Sequence, residues 1–399
     1  MPRPFVSLLA ALAALAGCAP APASVGTPPI PGVEAETAGF VTRLGDDTLA
    51  VERFTRTPGG IEATVALRAP RTTLTSYTLD LDADGGLVAY DAVVRQPLTG
   101  EVLRRHSAAP VGDSLRLTTS ETMGATETST IALTDRPLPF IDMVHWPFEL
   151  MVARAVAAGG PLEQPLFTTR GLVGFTSDVE DDGAVTVTHP FRGPMTVEAD
   201  DDGRLLELDA SATTRKLTVT RVGDVDVEAL AVDFAERDAA GRSIGELSGR
   251  GEASADVGPA TVSVDYGVPR KRGREIWGAL VPWGELWRTG ANRATHLETN
   301  AALVLGEGAD ALAVPAGVYT LYSIPSPDGG VLIVNRQTGQ GGTTYDEARD
   351  LGRVPLMRSS LGDEVEAFTI AVEGTGPAAG RLALRWDRDV FSVPFTVVQ

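Results

Sequence analysis

The chain has 399 residues, 43% of them hydrophobic, and sets 34 basic against 53 acidic side chains for a formal net charge of −19. At roughly 100–200 residues per domain the length predicts two or three domains, each large enough to bury a core, and the apolar content excludes disorder throughout. So negative a chain is not a general nucleic-acid binder, because affinity for phosphate backbones comes mainly from Lys and Arg displacing counterions.

The chain opens MPRPFVSLLAALAALAGC: Arg3, an apolar run from Phe5 to Ala16, then Gly17 and Cys18. The run is about half of the roughly 20 residues needed to cross a bilayer, so residues 1–17 are expected to be an export signal rather than a spanning helix. The string Leu15-Ala16-Gly17-Cys18 resembles the lipobox of bacterial lipoproteins. The resemblance implies cleavage before Cys18, lipidation of its thiol and attachment to the cell envelope. Ala19 after the cysteine implies the outer membrane of a diderm bacterium, facing the periplasm or the exterior. The alternative is an ordinary secretory signal that happens to contain a cysteine. Cys18 is the only cysteine in the chain, so no internal disulfide is available and the thiol is left for modification. The Pro-rich stretch 18–36 has too little apolar bulk to fold. It reads as a tether, on the order of 50 Å long when extended at about 3.1 Å per residue.

Residues 37–223 then read as an antiparallel β domain. LAVERFTRT, GIEATVALRA, TSYTLDLDADG, GLVAYDAVVR, SLRLTTSE, TSTIALT, AVTVTHPF and KLTVTRV alternate apolar and polar positions, with Pro58-Gly59-Gly60 and Asp84-Gly85-Gly86 as turns. Such alternation buries one face and wets the other, so a curved antiparallel sheet is expected. PFELMVARAVAAGG breaks the period. Pro147 suits a first helical position, Gly159 suits a stop, and apolar residues on more than one face predict a helix buried on most sides. A sheet curled round such a helix is similar in outline to the half-barrel of periplasmic lipoprotein carriers, which implies a lipid or hydrophobic-ligand carrier as one functional alternative. Residues 224–256 read as a helix and a linker. Val227, Leu230, Ala231 and Phe234 fall at helical spacing behind a capping Asp226, and a Gly- and Ser-rich run follows.

From 257 to 399 short strands return, and roughly seven β runs in about 140 residues predict a β-sandwich, Ig-like or jelly-roll-like. Within it, YGVPRKRGREIWGALVPWGELWRTGAN, ATHLETN, VPAGVYTLYSIP, NRQTGQGGTTYDEARDLGRVPL and RLALRWD resemble the bacterial DUF2911 family of unknown function, over about residues 260–399. Gly341 stands where a Trp is expected and Val268 where Arg is common. The first departure weakens the idea of an aromatic beside Gln340 holding a ligand. The resemblance implies a β-rich envelope module and brings no catalytic residues with it.

Candidate chemistry gathers in this last unit. Trp277, Trp283 and Trp287, next to Arg288 and Asn292, supply stacking faces and directional donors for a saccharide, peptide or lipid ligand; the plainer account is that the indoles plug the end of the sandwich. Arg288 is then a partner for Glu285 or Glu298. Tyr345, Asp346, Glu347 and Asp350 form an acidic cluster with Tyr345 as a further candidate contact, but no EF-hand pattern accompanies them. The Asp80-Asp82-Asp84 and Asp200-Asp201-Asp202 runs precede glycines and read as turns. His106, His145, His189 and His296 show no zinc spacing, so neither a metal nor a cofactor is expected. His296 and Glu298 share one strand face and are the acid-base pair of an alternative, an envelope hydrolase; no G-x-S-x-G elbow is present. The basic run Arg270, Lys271, Arg272 and Arg274 reads as a solvated loop, or as a patch for anionic lipid or cell-wall phosphate. The leading expectation is a mainly β, lipid-anchored envelope protein that binds or scaffolds without catalysis.

Overall fold

A computed structural model describes residues 35–180 and 183–398. The expected export signal, Cys18 and the expected tether up to residue 34 lie outside the described residues. Glu36, assigned to the tether from composition, opens the first strand, Glu36–Leu44.

The first unit is a 15-stranded sheet in which strands pair with their chain neighbours. The exception joins its two halves: Glu36–Leu44 pairs antiparallel with Thr218–Val222, so the sheet edges are Thr126–Ala132 and Leu138–Pro139. Alternation drives the curl, as in Thr73–Leu81, where Thr75, Tyr77 and Leu79 are buried and Ser76 and Asp80 exposed. The concave face wraps helix α1, Trp146–Ala158, whose residues from Trp146 to Ala155 are all buried. The helix ends where composition placed its ends. Pro147 occupies the first turn, and Gly159 takes a left-handed φ of 64° and donates its N–H back to Ala155 and Val156.

Burying a helix end leaves backbone N–H groups to satisfy, and α1 has no side-chain cap of its own. Glu52, fully buried on strand Asp47–Thr57, supplies it by accepting from His145 N (2.8 and 3.0 Å) and Trp146 N (2.9 Å). Glu149, also fully buried on α1, accepts from Arg221 Nη1 (2.9 Å) and Leu205 N (3.1 Å) and lies 3.6 Å from Arg56 Nη1. Glu36 extends the network to Arg221 at 2.6 Å and Arg204 at 3.0 Å. Burial pushes the Glu149 carboxyl above its ordinary value despite Arg221 and Arg56.

Helix α2, Val227–Ala239, lies on the convex side of the sheet. Asp226 caps it by accepting from Ala229 N, and Val227, Ala231 and Phe234 pack on Val51 and Ala66.

The second unit is a 9-stranded sheet that continues through its own fold-over. Its strands Asp350–Gly376 and Ala379–Val397 shift register at Ser360, Val365 and Thr369, which bends them from one layer into the other. Strands Ser248–Val257 and Ala260–Pro269 close against them, with Arg270 and Ala367 forming an isolated bridge. Part of the expected linker is therefore a strand. Ser248–Val257 pairs residue for residue with Ala260–Pro269, and its glycines serve packing: a Cβ on Gly251 would stand 2.7 Å from the Tyr266 ring.

Arg272 joins the two units. The turn at Gly45, in left-handed backbone (φ 58°), approaches so closely that a Cβ there would meet the Arg272 carbonyl at 2.0 Å. Asp46 N donates to that carbonyl, while the buried Arg272 guanidinium pairs with Asp47 and donates to the Ile244 and Glu246 carbonyls. Charged hydrogen bonds of this kind are worth about 1.5–3 kcal/mol each. Arg272→Ala should therefore split thermal unfolding into two calorimetric transitions, one per unit; an unchanged profile would show that other contacts couple them.

Candidate functional site

Where the two units meet, they enclose a cleft of about 390 Å³. The first unit contributes Leu44 and the turn Thr213–Lys216; the second contributes Arg270 and Arg274, Leu280 and Val281, the stretch from Leu286 to Arg288, Asn292, and Thr343 with Tyr345. Trp287 and Trp386 lie in its wall, stacked 5.9 Å apart at 18°, and Phe368 meets Trp287 edge-on at 5.0 Å. With the indoles locked in this way, the wall is rigid and apolar.

The charges are unusual for so acidic a chain. Arg215, Lys216, Arg270, Arg274 and Arg288 line the cleft, and no Asp, Glu, His or Cys does among the described residues. Arg215 is matched by Asp142. The other four form no ion pair with a described carboxylate. Arg288 Nε donates only to Gly290 O at 3.3 Å, and Arg274 donates to the Lys271 and Arg270 carbonyls. Burial, then Arg274 and Arg288, hold the Lys216 ammonium below its ordinary value; burial lowers Arg288, and burial with Arg272 lowers Arg274. Lys216 (φ 57°) and Asn292 (φ 62°) keep left-handed backbone at the cleft wall, a conformation costing about 1–3 kcal/mol that functional sites often retain.

Residues 248–395 match the family model described as protein of unknown function, DUF2911. None of the curated proteins matches the chain. Among solved structures, a beta-barrel-like protein of domain of unknown function DUF1849 from Brucella abortus is similar, at 13% identity and a TM-score of 0.31, over 48% of this chain and 97% of that one.

The segment that matches this family model supplies most of the cleft, and four of the candidate ligand-binding residues meet there: Trp287, Arg288, Asn292 and Tyr345. Asn292 Nδ2 donates across to Ser248 O at 3.2 Å. The Tyr345 hydroxyl donates to Asp350 at 2.8 Å, and burial followed by Asp350 pushes its pKa up to about 12. Trp283 and Glu298 are not brought in. Trp283 stacks on Trp277 at 6.1 Å beneath Arg358, and Glu298 is exposed on Thr295–Thr299. His296 shares that outer face and its Nε2 accepts from Gly339 N at 3.0 Å, so this pair stands away from the cleft. Arg288 pairs with neither Glu285 nor Glu298; the loop turns its guanidinium inward instead.

The basic run is not a solvated loop. Arg272 is the inter-unit clamp, Lys271 pairs with Asp387 at 2.7 Å and Glu364 at 3.1 Å, and Arg270 with Arg274 lines the cleft. The acidic runs make turns: Asp82 accepts from Asp84 N and Gly86 N, Asp200 from Asp202 N and Arg204 N, and Asp346 from Ala348 N. Lys216 was missed, because a lysine opening a β run carries no local signal and only the fold sets it opposite Arg288.

Asp142 gives a pH test of the wall behind the cleft. Burial works to raise its carboxyl, but Arg215 and Arg192 outweigh it and hold the pKa below the ordinary value. The folded pKa thus lies under the unfolded one, so its stabilisation is full above about pH 4 and is lost as pH falls through the folded value. Asp142→Asn should flatten this acid limb in denaturant titrations at pH 3 and pH 7; an unaltered pH dependence would contradict the assignment.

Proposed function

We propose that this is an exported, lipid-anchored binding protein of the cell envelope that captures an organic anion in the inter-unit cleft without a catalytic step. One observation carries the reading: Lys216, Arg274 and Arg288 converge on one cavity whose described lining holds no carboxylate, although Glu366 and Asp47 act on Arg274 from behind it. A folded protein does not hold desolvated like charges together cheaply, and a ligand anion relieves both burial and repulsion. The rigid Trp287 wall suits a planar or apolar body on that anion, and the Asn292 side chain suits its hydroxyl or amide groups. Acidic saccharides, peptide carboxylates and phosphorylated small molecules have this chemistry. Binding is the reading that fits a lining of cations and aromatic rings, with no Asp, Glu or His among its described residues.

The experiment is a thermal-shift titration, since a ligand that binds only the native state at 100 times its Kd stabilises by about 2.7 kcal/mol. Anchoring is tested separately. Cys18→Ser should move the protein from the membrane fraction to the soluble fraction of its native cells, and a variant that stays membrane-bound would refute lipid attachment.

A further inference from the structure

The curled sheet is not filled by α1 along its whole length. Opposite the sheet's inner face, Pro139–Asp142 and Phe167–Thr169 wall off a second cavity of about 420 Å³, within the range of roughly 300–1,000 Å³ typical of small-ligand sites. Its floor is apolar: Tyr77, Tyr90, Ala92, Ala108, Leu117 and Phe167. Ring contacts fix this floor, Tyr90 meeting Phe167 edge-on at 5.5 Å and Tyr77 lying 5.6 Å from Trp146. An apolar floor of this kind accepts apolar molecules.

The same inner face becomes polar toward one end. Along strand Val102–Val111 the residues facing the cavity run from Ala108 through His106 to Arg104, in register with Tyr90, Ala92 and Val94, and Arg71 stands at the same rim. Arg104 is paired with Glu121, and His106 Nδ1 is hydrogen-bonded to Thr119 Oγ1. Asp142, on the facing wall, is already matched by Arg192 and Arg215. Arg71 is exposed and forms no ion pair with a described carboxylate, so the rim presents net positive charge to an apolar floor.

We propose that this cavity is a second binding site, independent of the cleft, for a single-chain anionic amphiphile: hydrocarbon chain on the Tyr90–Ala108 floor, carboxylate-type head at Arg71 and Arg104. The test is equilibrium binding of straight-chain carboxylates from eight to fourteen carbons, below micellar concentrations, to the purified protein. Burial of each methylene is worth about 0.8 kcal/mol, so affinity should rise by up to about 15-fold per two carbons until the cavity is full. Alkyltrimethylammonium ions of equal length should bind at least about tenfold more weakly. Ala108→Phe, or Ala92→Phe should the first variant not fold, should abolish the chain-length-dependent binding. Affinity independent of chain length, or a folded plugged variant that binds as the native protein does, would overturn the site. If neither plugged variant folds, the chain-length and head-charge series decide. Growth of affinity with chain length reads this cavity, whereas short aromatic anions read the cleft, so failure here is distinguishable from failure of the cleft.

Discussion

Replacing Arg288 by alanine should weaken capture of an organic anion by about 10- to 150-fold and, without ligand, raise the melting temperature. The first effect follows from losing a charge-assisted hydrogen bond in a sheltered cleft, worth about 1.5–3 kcal/mol. The second follows from the unliganded state. Arg288 has no carboxylate partner among the described residues, burial disfavours its charge, and it repels Lys216. Removing it should relieve the site, the usual sign of a residue kept for binding rather than for stability. Arg288→Lys should keep the charge and lose the planar fork, giving an intermediate affinity. Titration calorimetry and a melt of the same preparation read the two effects, and a variant that melts lower with undiminished affinity would place Arg288 among the structural residues.

Glu149→Ala should be far more damaging to folding, costing about 3–5 kcal/mol. Glu149 is fully buried between Arg221 and the 2% exposed Arg56, whose one other acidic neighbour among the described residues, Glu36, is 3.7 Å away. Truncating it strands the Arg56 guanidinium in the core and leaves Leu205 N without its acceptor, the circumstance in which breaking a buried pair is most costly. For a unit of this size the loss corresponds to a fall in Tm on the order of 10 °C. Denaturant unfolding measures it directly. A loss under about 1 kcal/mol would mean that water reaches Arg56 and that the network is not part of the core.

Local signals carried much of this architecture. Pro147, Gly159 and Asp226 mark helix ends through backbone chemistry that acts within one turn, and period-2 alternation marks strands because each strand buries one face. What acts over distance was not legible. Glu52 reaches across 93 positions to cap α1, and nothing in VERFTRT distinguishes it from a solvent-facing glutamate. Ser248–Val257 has linker composition but is an edge strand, where small residues are tolerated because one face packs on Tyr266. In the cleft, Trp287, Arg288, Asn292 and Tyr345 were legible because aromatic and polar residues cluster in the DUF2911 segment. Their neighbours Lys216 and Thr213 belong to the other unit, and long-range contacts such as the Arg272–Asp47 pair bring the halves of the site together.

The most direct measurement is a thermal-shift panel of short aromatic carboxylates and phosphates, each beside its neutral ester or amide, on the native protein and on Arg288→Ala. The account predicts that some anions raise the native melting point while their neutral counterparts do not, and that the gain disappears in the variant. No response to any anion, or a response of equal size in Arg288→Ala, would contradict it.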